Sequence, residues 1–146
     1  MNQPIARAAL LLASLLFVAA TAPAAQEGKP SIKTAPMPVT SPASGEEMFN
    51  AYCAVCHGKA GKGDGPAATA FKRPPTNLTQ LTRHYNGKFP DAYIAQVIES
   101  GPRDAKAHGS KDMPVWGTLF SAMEDSATVK QRVFNLTKYI ESLQAN

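Results

Sequence analysis

The stretch Cys53-Ala54-Val55-Cys56-His57 decides how this chain of 146 residues folds. It holds both cysteines that the sequence contains. A disulfide between them would close a very small loop and remove little chain entropy, so structural cross-linking explains the spacing poorly. The two thiols must therefore lie close together for another reason, and a histidine follows them directly.

Cys-x-x-Cys-His is the attachment sequence for c-type haem. Two thiols at this spacing can each add to one vinyl group of a porphyrin, and the adjacent histidine is then held beneath the iron. A zinc site would need His84 or His108 as a further ligand, and neither has a partner at zinc-finger spacing. A thioredoxin-like redox pair belongs in a βαβ setting, which the sequence does not indicate. We predict one covalent haem c, with Cys53 and Cys56 as thioether residues and His57 as the proximal iron ligand.

A second axial ligand is predicted at Met113. Pro114 pushes the residue before it out of helical conformation, so Met113 belongs to an irregular loop that can fold over the haem face. Trp116 follows closely and can pack against the porphyrin or the last helix. Met123 and His108 remain open as alternative ligands. Ligation by histidine and methionine leaves no coordination position for a substrate and raises the reduction potential relative to a more basic ligand, which favours an electron carrier over an enzyme.

Helical signals flank the cysteine pair and recur towards the end of the chain. Ser44 and Glu47 have capping-box form at the start of a first helix that leads directly into the motif. Pro90-Asp91 opens a second helix, which Gly101-Pro102 ends. Apolar residues four and three positions apart predict a last helix from Ser126 to Leu143.

The segments between these helices are predicted to be loops. Residues 71–86 carry Pro74-Pro75 and Asn86-Gly87 and are expected to be mostly loop, and residues 103–123 to be irregular. No strand pattern and no internal repeat occur. We predict a small all-α domain of three to four helices, with long loops wrapped around one covalent haem.

The N-terminal part of the sequence predicts export. A positively charged start with Arg7, an apolar run from Ala8 to Ala20 and small residues up to Ala25 are typical of a secretory signal peptide at residues 1–25. The apolar run is shorter than the roughly 20 residues that span a bilayer, so cleavage is favoured over a retained anchor. We expect residues 26–43, rich in proline, to form a flexible linker. The cytochrome-like domain is predicted at residues 44–146, soluble in the periplasm.

The charge of the chain limits the class of partner. Its formal net charge is +4 at pH 7, and the lysines and arginines do not cluster. This balance argues against nucleic-acid binding. A mild positive charge can still steer the protein towards an acidic redox partner, and it is compatible with peripheral contact at a membrane.

These motifs resemble the class I (mitochondrial-type) cytochrome c family, in its bacterial single-haem members. The likeness runs from Gly45-Glu46-Glu47-Met48-Phe49 through the cysteine motif and Met113-Pro114-Val115-Trp116-Gly117 to Tyr139-Ile140. It implies that the first and last helices cross near Gly45 and Tyr139. It also implies that the Pro66 carbonyl accepts a hydrogen bond from the non-ligating nitrogen of His57.

The resemblance implies transfer of one electron at a time between exported or membrane redox proteins, such as a membrane reductase, a terminal oxidase or a periplasmic dehydrogenase. One alternative is a dedicated haem subunit of a periplasmic dehydrogenase or oxidase complex. Another is a haem sensor or peroxidase in which Met113 is labile. Arg73, Arg83 and Tyr85 are candidates for contact with the haem propionates.

Overall fold

The computed structural model describes residues 36–102 and 112–145. These residues form helices and loops without strands, which confirms the predicted all-α class. A π-helical segment, Phe49–Cys53, joins the first two α-helices, and 3-10 helices cover Ala68–Ala70 and Leu78–Gln80. Within the two described ranges, no helix has the length and apolar character needed to cross a membrane. The α-helices are α1 (Gly45–Met48), α2 (Ala54–His57), α3 (Leu81–His84), α4 (Asp91–Ser100), α5 (Trp116–Ser121) and α6 (Ser126–Ser142).

The start of α1 confirms the predicted N-cap. The Ser44 hydroxyl oxygen accepts a hydrogen bond from the backbone N–H of Glu47 at 3.1 Å. In a capping box the Glu47 carboxylate would accept from the backbone N–H of Ser44. Here it accepts from the backbone N–H of Ser41 at 3.2 Å. The helical path then continues without a break through the π-helical segment into α2, so the cysteine motif lies on helical backbone.

The crossing of α1 and α6 is as close as the resemblance implies. A Cβ atom added to Gly45 would overlap the Asn135 carbonyl oxygen and lie 2.8 Å from Cβ of Tyr139. A glycine is needed because any side chain would force the two helices apart. Beside this crossing lies the centre of the core, whose most completely buried side chains are Phe49, Phe120, Met48 and Leu136.

The helices α4 and α6 confirm their predicted bounds. Helix α4 begins after Pro90 and ends before Gly101, whose N–H donates to the Val97 carbonyl at 2.9 Å. Helix α6 begins after Asp125, whose carboxylate accepts from the N–H groups of Ala127 and Thr128. Both helices direct an apolar face into the core, as their spacing predicts.

Residues 38–42, which belong to the predicted linker at residues 26–43, lie against the helices as an N-terminal strap. The Tyr52 hydroxyl donates to the Pro38 carbonyl at 2.6 Å. Arg132 donates to the hydroxyl and the carbonyl of Thr40, each at 2.8 Å. The Pro42 carbonyl accepts from Asn135 at 2.8 Å. The strap is held by hydrogen bonds from polar side chains and not by apolar packing. Its sequence therefore has no apolar periodicity, and the pattern does not reveal these contacts. The predicted signal peptide and residues 26–35 lie outside the described residues.

Two predicted loops contain helices. Residues 71–86 include a 3-10 turn and α3, and the stretch expected to be irregular includes α5. Helices this short are marginal in isolation and form because their neighbours pack against them. A Cβ atom on Gly117 would overlap the Glu99 carbonyl oxygen, so α5 lies directly against the end of α4.

Candidate haem site

A cavity of about 130 Å³, partly open to solvent, lies between these elements. Two parts of its lining matter most. We name Cys53, Cys56, His57, Pro75 and Thr76 the histidine wall, and Met113, Pro114 and Trp116 the methionine wall. Most of the remaining lining is apolar and includes Phe71, Leu78, Leu81, Ile94, Val97, Ile98 and Ile140.

Backbone hydrogen bonds fold the loop after the cysteine motif back onto the motif. The Gly63 N–H donates to the carbonyl of His57 at 2.8 Å, and the Gly65 N–H donates to the carbonyl of Cys56 at 3.1 Å. The N–H of Ala67 donates to the Val55 carbonyl at 2.9 Å. The loop thus fixes the backbone that carries the motif without using any side chain.

The ring of His57 contacts the carbonyl of Thr76, whereas the resemblance implied the carbonyl of Pro66. Nδ1 of His57 lies 3.0 Å from the Thr76 carbonyl oxygen. Pro66 is exposed and does not line the cavity. The difference arises because the segment after Pro74-Pro75 runs beside the ring, whereas the glycine-rich loop bonds to the backbone of the motif. A ring held through Nδ1 leaves Nε2 available for a metal.

Burial sets the protonation of the three motif side chains. It lowers the pKa of His57, and the hydrogen bond to Thr76 opposes this effect only in part. The pKa of Cys53 is raised to about 12, chiefly by burial and further by Cys56. Burial also raises the pKa of Cys56. Before haem is attached, the imidazole and both thiols are therefore neutral at neutral pH, and the cysteines form no disulfide.

The methionine wall reaches the same cavity from a distant part of the sequence. Met113 is half-buried in the bend before α5 and lines the cavity, as does His57. The indole of Trp116 stacks on Tyr52 with ring centroids 5.4 Å apart and also contacts Phe120. The structure thus brings together two of the side chains that the sequence singled out as axial ligands.

The rival ligands are placed elsewhere. Met123 is 47% exposed and Met48 is fully buried in the core, and neither lines the cavity. His84 ends α3 and also lies outside the lining. His108 falls outside the described residues. Among residues 36–102 and 112–145, no three His, Cys, Asp or Glu side chains cluster closely enough to hold a metal ion.

The structure adds cavity residues to those that the sequence indicated. Arg73 lines the cavity, whereas the other propionate candidates, Arg83 and Tyr85, do not. Tyr52 was not among the residues that the sequence indicated, and its ring forms part of the lining. Thr76 carried no signal of its own, although the preceding proline pair marks a stretch of extended backbone with free carbonyl groups.

The residues present suit a haem. Cofactor sites are mostly apolar with a few polar groups that fix orientation, and the lining of this cavity has that composition. Its lining supplies two free thiols, an imidazole with one nitrogen available and a thioether. These are the donor types used to attach haem c and to ligate its iron.

Comparison with known proteins agrees with this chemistry. Residues 40–130, well over half of the chain, match the protein family described as "Cytochrome C oxidase, cbb3-type, subunit III". Among curated proteins, none matches the chain. The chain therefore belongs to this family of class I cytochrome c domains, and its cofactor is covalently bound haem c.

Proposed function

We propose that the chain is a single-haem electron carrier in which Cys53 and Cys56 form the thioether bonds and His57 and Met113 are the axial ligands. One observation carries the proposal: His57 and Met113, far apart in sequence, line one cavity together with both thiols. When bound, haem c supplies a redox centre that exchanges single electrons.

The protein residues determine how that centre behaves. Two axial ligands from the protein leave no position for a substrate, so the site favours electron transfer over catalysis. The mostly apolar lining lowers the local dielectric constant around the cofactor. Thr76 holds the His57 ring, and Trp116 anchors the backbone beside Met113 through its stacking on Tyr52. Both side chains are thus held in place by contacts with the rest of the protein.

We further propose that the protein is exported to the periplasm and exchanges electrons there with redox proteins such as a membrane reductase, a terminal oxidase or a periplasmic dehydrogenase. Export depends on the predicted signal peptide at residues 1–25. Lys59 and Lys62 are exposed in the loop after the motif, where they could assist docking on an acidic partner.

The family description favours a second candidate, a dedicated haem subunit of an oxidase complex. Its haem chemistry would be the same as that of a mobile carrier. Association distinguishes the two, because a subunit remains with its enzyme during purification and a mobile carrier does not. Affinity purification of the tagged mature chain from its native membrane, followed by identification of any haem-containing partner, separates these outcomes.

The ligand assignment is tested by optical spectra of the mature protein in both oxidation states, after expression with a cytochrome c maturation system. We expect the ferric protein to show the far-red band of methionine-ligated haem and the ferrous protein to bind carbon monoxide slowly. Met113→Ala should remove the band and permit rapid carbon monoxide binding. Met123→Ala serves as the matched control and should change neither. Rapid carbon monoxide binding by the wild type would instead favour a sensor or peroxidase.

A further inference from the structure

The side chain of Gln144, just beyond α6, clasps the segment that leads away from the histidine wall. Its Nε2 donates to the Leu78 carbonyl at 2.7 Å and to the Ile140 carbonyl at 2.8 Å. Its Oε1 accepts from the backbone N–H of Thr82 at 2.9 Å. One amide side chain therefore bonds to both ends of the turn formed by the 3-10 helix and the start of α3.

A backbone contact reinforces this clasp. The N–H of Ala145 donates to the Thr79 carbonyl at 2.9 Å. On the other side of the turn, the Leu78 N–H donates to the Gly61 carbonyl at 2.7 Å. Residues 78–82 are thus held between the loop that follows the cysteine motif and the C-terminal end of α6.

The held segment begins two residues after Thr76, the residue whose carbonyl meets His57 Nδ1. Asn77 occupies the interval and caps the 3-10 helix by accepting from the Thr79 N–H at 3.0 Å. The direction of the Thr76 carbonyl therefore depends on the position of this turn. Gln144 makes most of the hydrogen bonds between the turn and side chains elsewhere in the fold.

We propose that Gln144 is a positioning residue for the axial histidine, acting through Leu78 and the Thr76 carbonyl. The inference rests on the proposed role of His57 as an iron ligand. A carbonyl that accepts from the distal nitrogen of a ligating imidazole raises the basicity of the ligand and stabilises the oxidised metal. Weakening this contact shifts the redox equilibrium towards the reduced state.

The test uses the full mature holoprotein with Gln144→Met, which removes all three hydrogen bonds at similar volume and without a change in charge. Gln144→Asn is the second variant, because it keeps the amide but is too short to reach Leu78. Asn135→Ala is the matched control, since it removes another hydrogen bond from a side-chain amide to a distant carbonyl, that of Pro42. Each protein is examined by NMR of the ferric form and by spectroelectrochemistry.

We expect the His57 Nδ1–H of both Gln144 variants to exchange with solvent about fivefold faster, as loss of an ordinary hydrogen bond implies. The ratio of reduced to oxidised protein at a fixed applied potential should rise about threefold, roughly 28 mV at 59 mV per tenfold change for one electron. Asn135→Ala should change thermal stability only.

The proposal is overturned if the Gln144 variants melt earlier but keep the wild-type exchange rate and redox ratio, because Gln144 would then be purely structural. It is also overturned if Asn135→Ala produces the same changes. Failure of the proposed function gives a different result: the wild-type protein itself would then show no His57 imidazole resonance shifted by the iron.

Discussion

The histidine wall is bonded directly by backbone groups within residues 55–76, and the distant Gln144 side chain bonds only to the turn that follows, whereas the methionine wall is held by side chains from distant segments. On the first wall, carbonyl and N–H groups of the motif and its following loop bond to one another, and Thr76 completes the set. On the second, Trp116 stacks on Tyr52 and Gly117 lies against Glu99 of α4.

The difference shows two ways in which a fold can hold the side chains that we propose as axial ligands. Backbone hydrogen bonds are directional and persist when side chains change, so they fix a ligand locally. Packing contacts depend on the positions of whole helices, and segments held by few local bonds open at lower free energy. We therefore expect the methionine wall to loosen first when the protein is perturbed, and the following predictions test this comparison.

The largest expected effect is the contrast between His57→Ala and Met113→Ala. His57→Ala removes the ligand next to the thioether residues, and the yield of haem-loaded protein should fall at least about tenfold, since cofactor binding and folding are coupled. Met113→Ala should load haem at a yield close to that of the wild type. Haem absorbance per amount of purified polypeptide measures both. If the two substitutions lowered the yield of haem-loaded protein equally, the two walls would contribute equally to haem loading.

Gly117→Ala should weaken the methionine wall selectively. The added methyl group overlaps the Glu99 carbonyl and pushes α5 away from α4, at a cost of about 1–3 kcal/mol in the free energy of unfolding. The displaced bend should also let the ferrous protein bind carbon monoxide. Thr118→Ala, at the exposed neighbouring position, is the control and should leave both denaturant unfolding and carbon monoxide binding unchanged.

Asn77→Ala provides the corresponding perturbation of the histidine wall. It removes the acceptor for the Thr79 N–H and should cost about 1 kcal/mol, the usual value of a lost N-cap. The reduction potential should rise, while the far-red methionine band persists. Ser44→Ala removes the cap of α1 instead and should lower stability with no change in potential. A lost far-red band in Asn77→Ala would show that the two walls are not independent.

The smallest expected effect concerns acid and the methionine wall. The Glu124 carboxylate binds the buried Arg132 guanidinium at 2.5 Å, and this guanidinium lies 5.4 Å from the centre of the Phe120 ring in α5. The hydrogen bond from Arg132 lowers the pKa of Glu124 below its ordinary value of 4.5. A lowered folded-state pKa stabilises the protein above the unfolded value, and this stability is lost as pH falls through the folded value.

From about pH 5 downwards, the free energy of unfolding of the wild type should therefore fall by an amount that Glu124→Gln does not lose. The difference should stay below about 1 kcal/mol, because solvent screens the partly exposed carboxylate. The far-red band should weaken over the same pH range in the wild type. If the stability of the two proteins fell in parallel as the pH is lowered, Glu124 would not contribute to the stability of the methionine wall.

Particular residues show how much of the fold could be predicted. The capped start of α1 and the bounds of α4 and α6 followed from local signals at Ser44, Pro90 and Gly101, since caps and helix-ending residues act over a few positions. Helix α5 and the N-terminal strap did not. Helix α5 exists because Gly117 fits against α4, and the strap is ordered because Arg132 holds Thr40 from the other end of the domain.

The candidate site likewise has features that the sequence predicts and features that it does not. The sequence alone determined the chemistry, because Cys53, Cys56 and His57 are adjacent and their spacing already matches haem attachment. Only the tertiary structure decided which methionine shares the cavity and which carbonyl orients the histidine. Both choices join residues at least 19 positions apart, and such contacts depend on how the chain packs. Thr76 in place of Pro66 is the clearest case, since any backbone carbonyl can accept a hydrogen bond and only its position selects it.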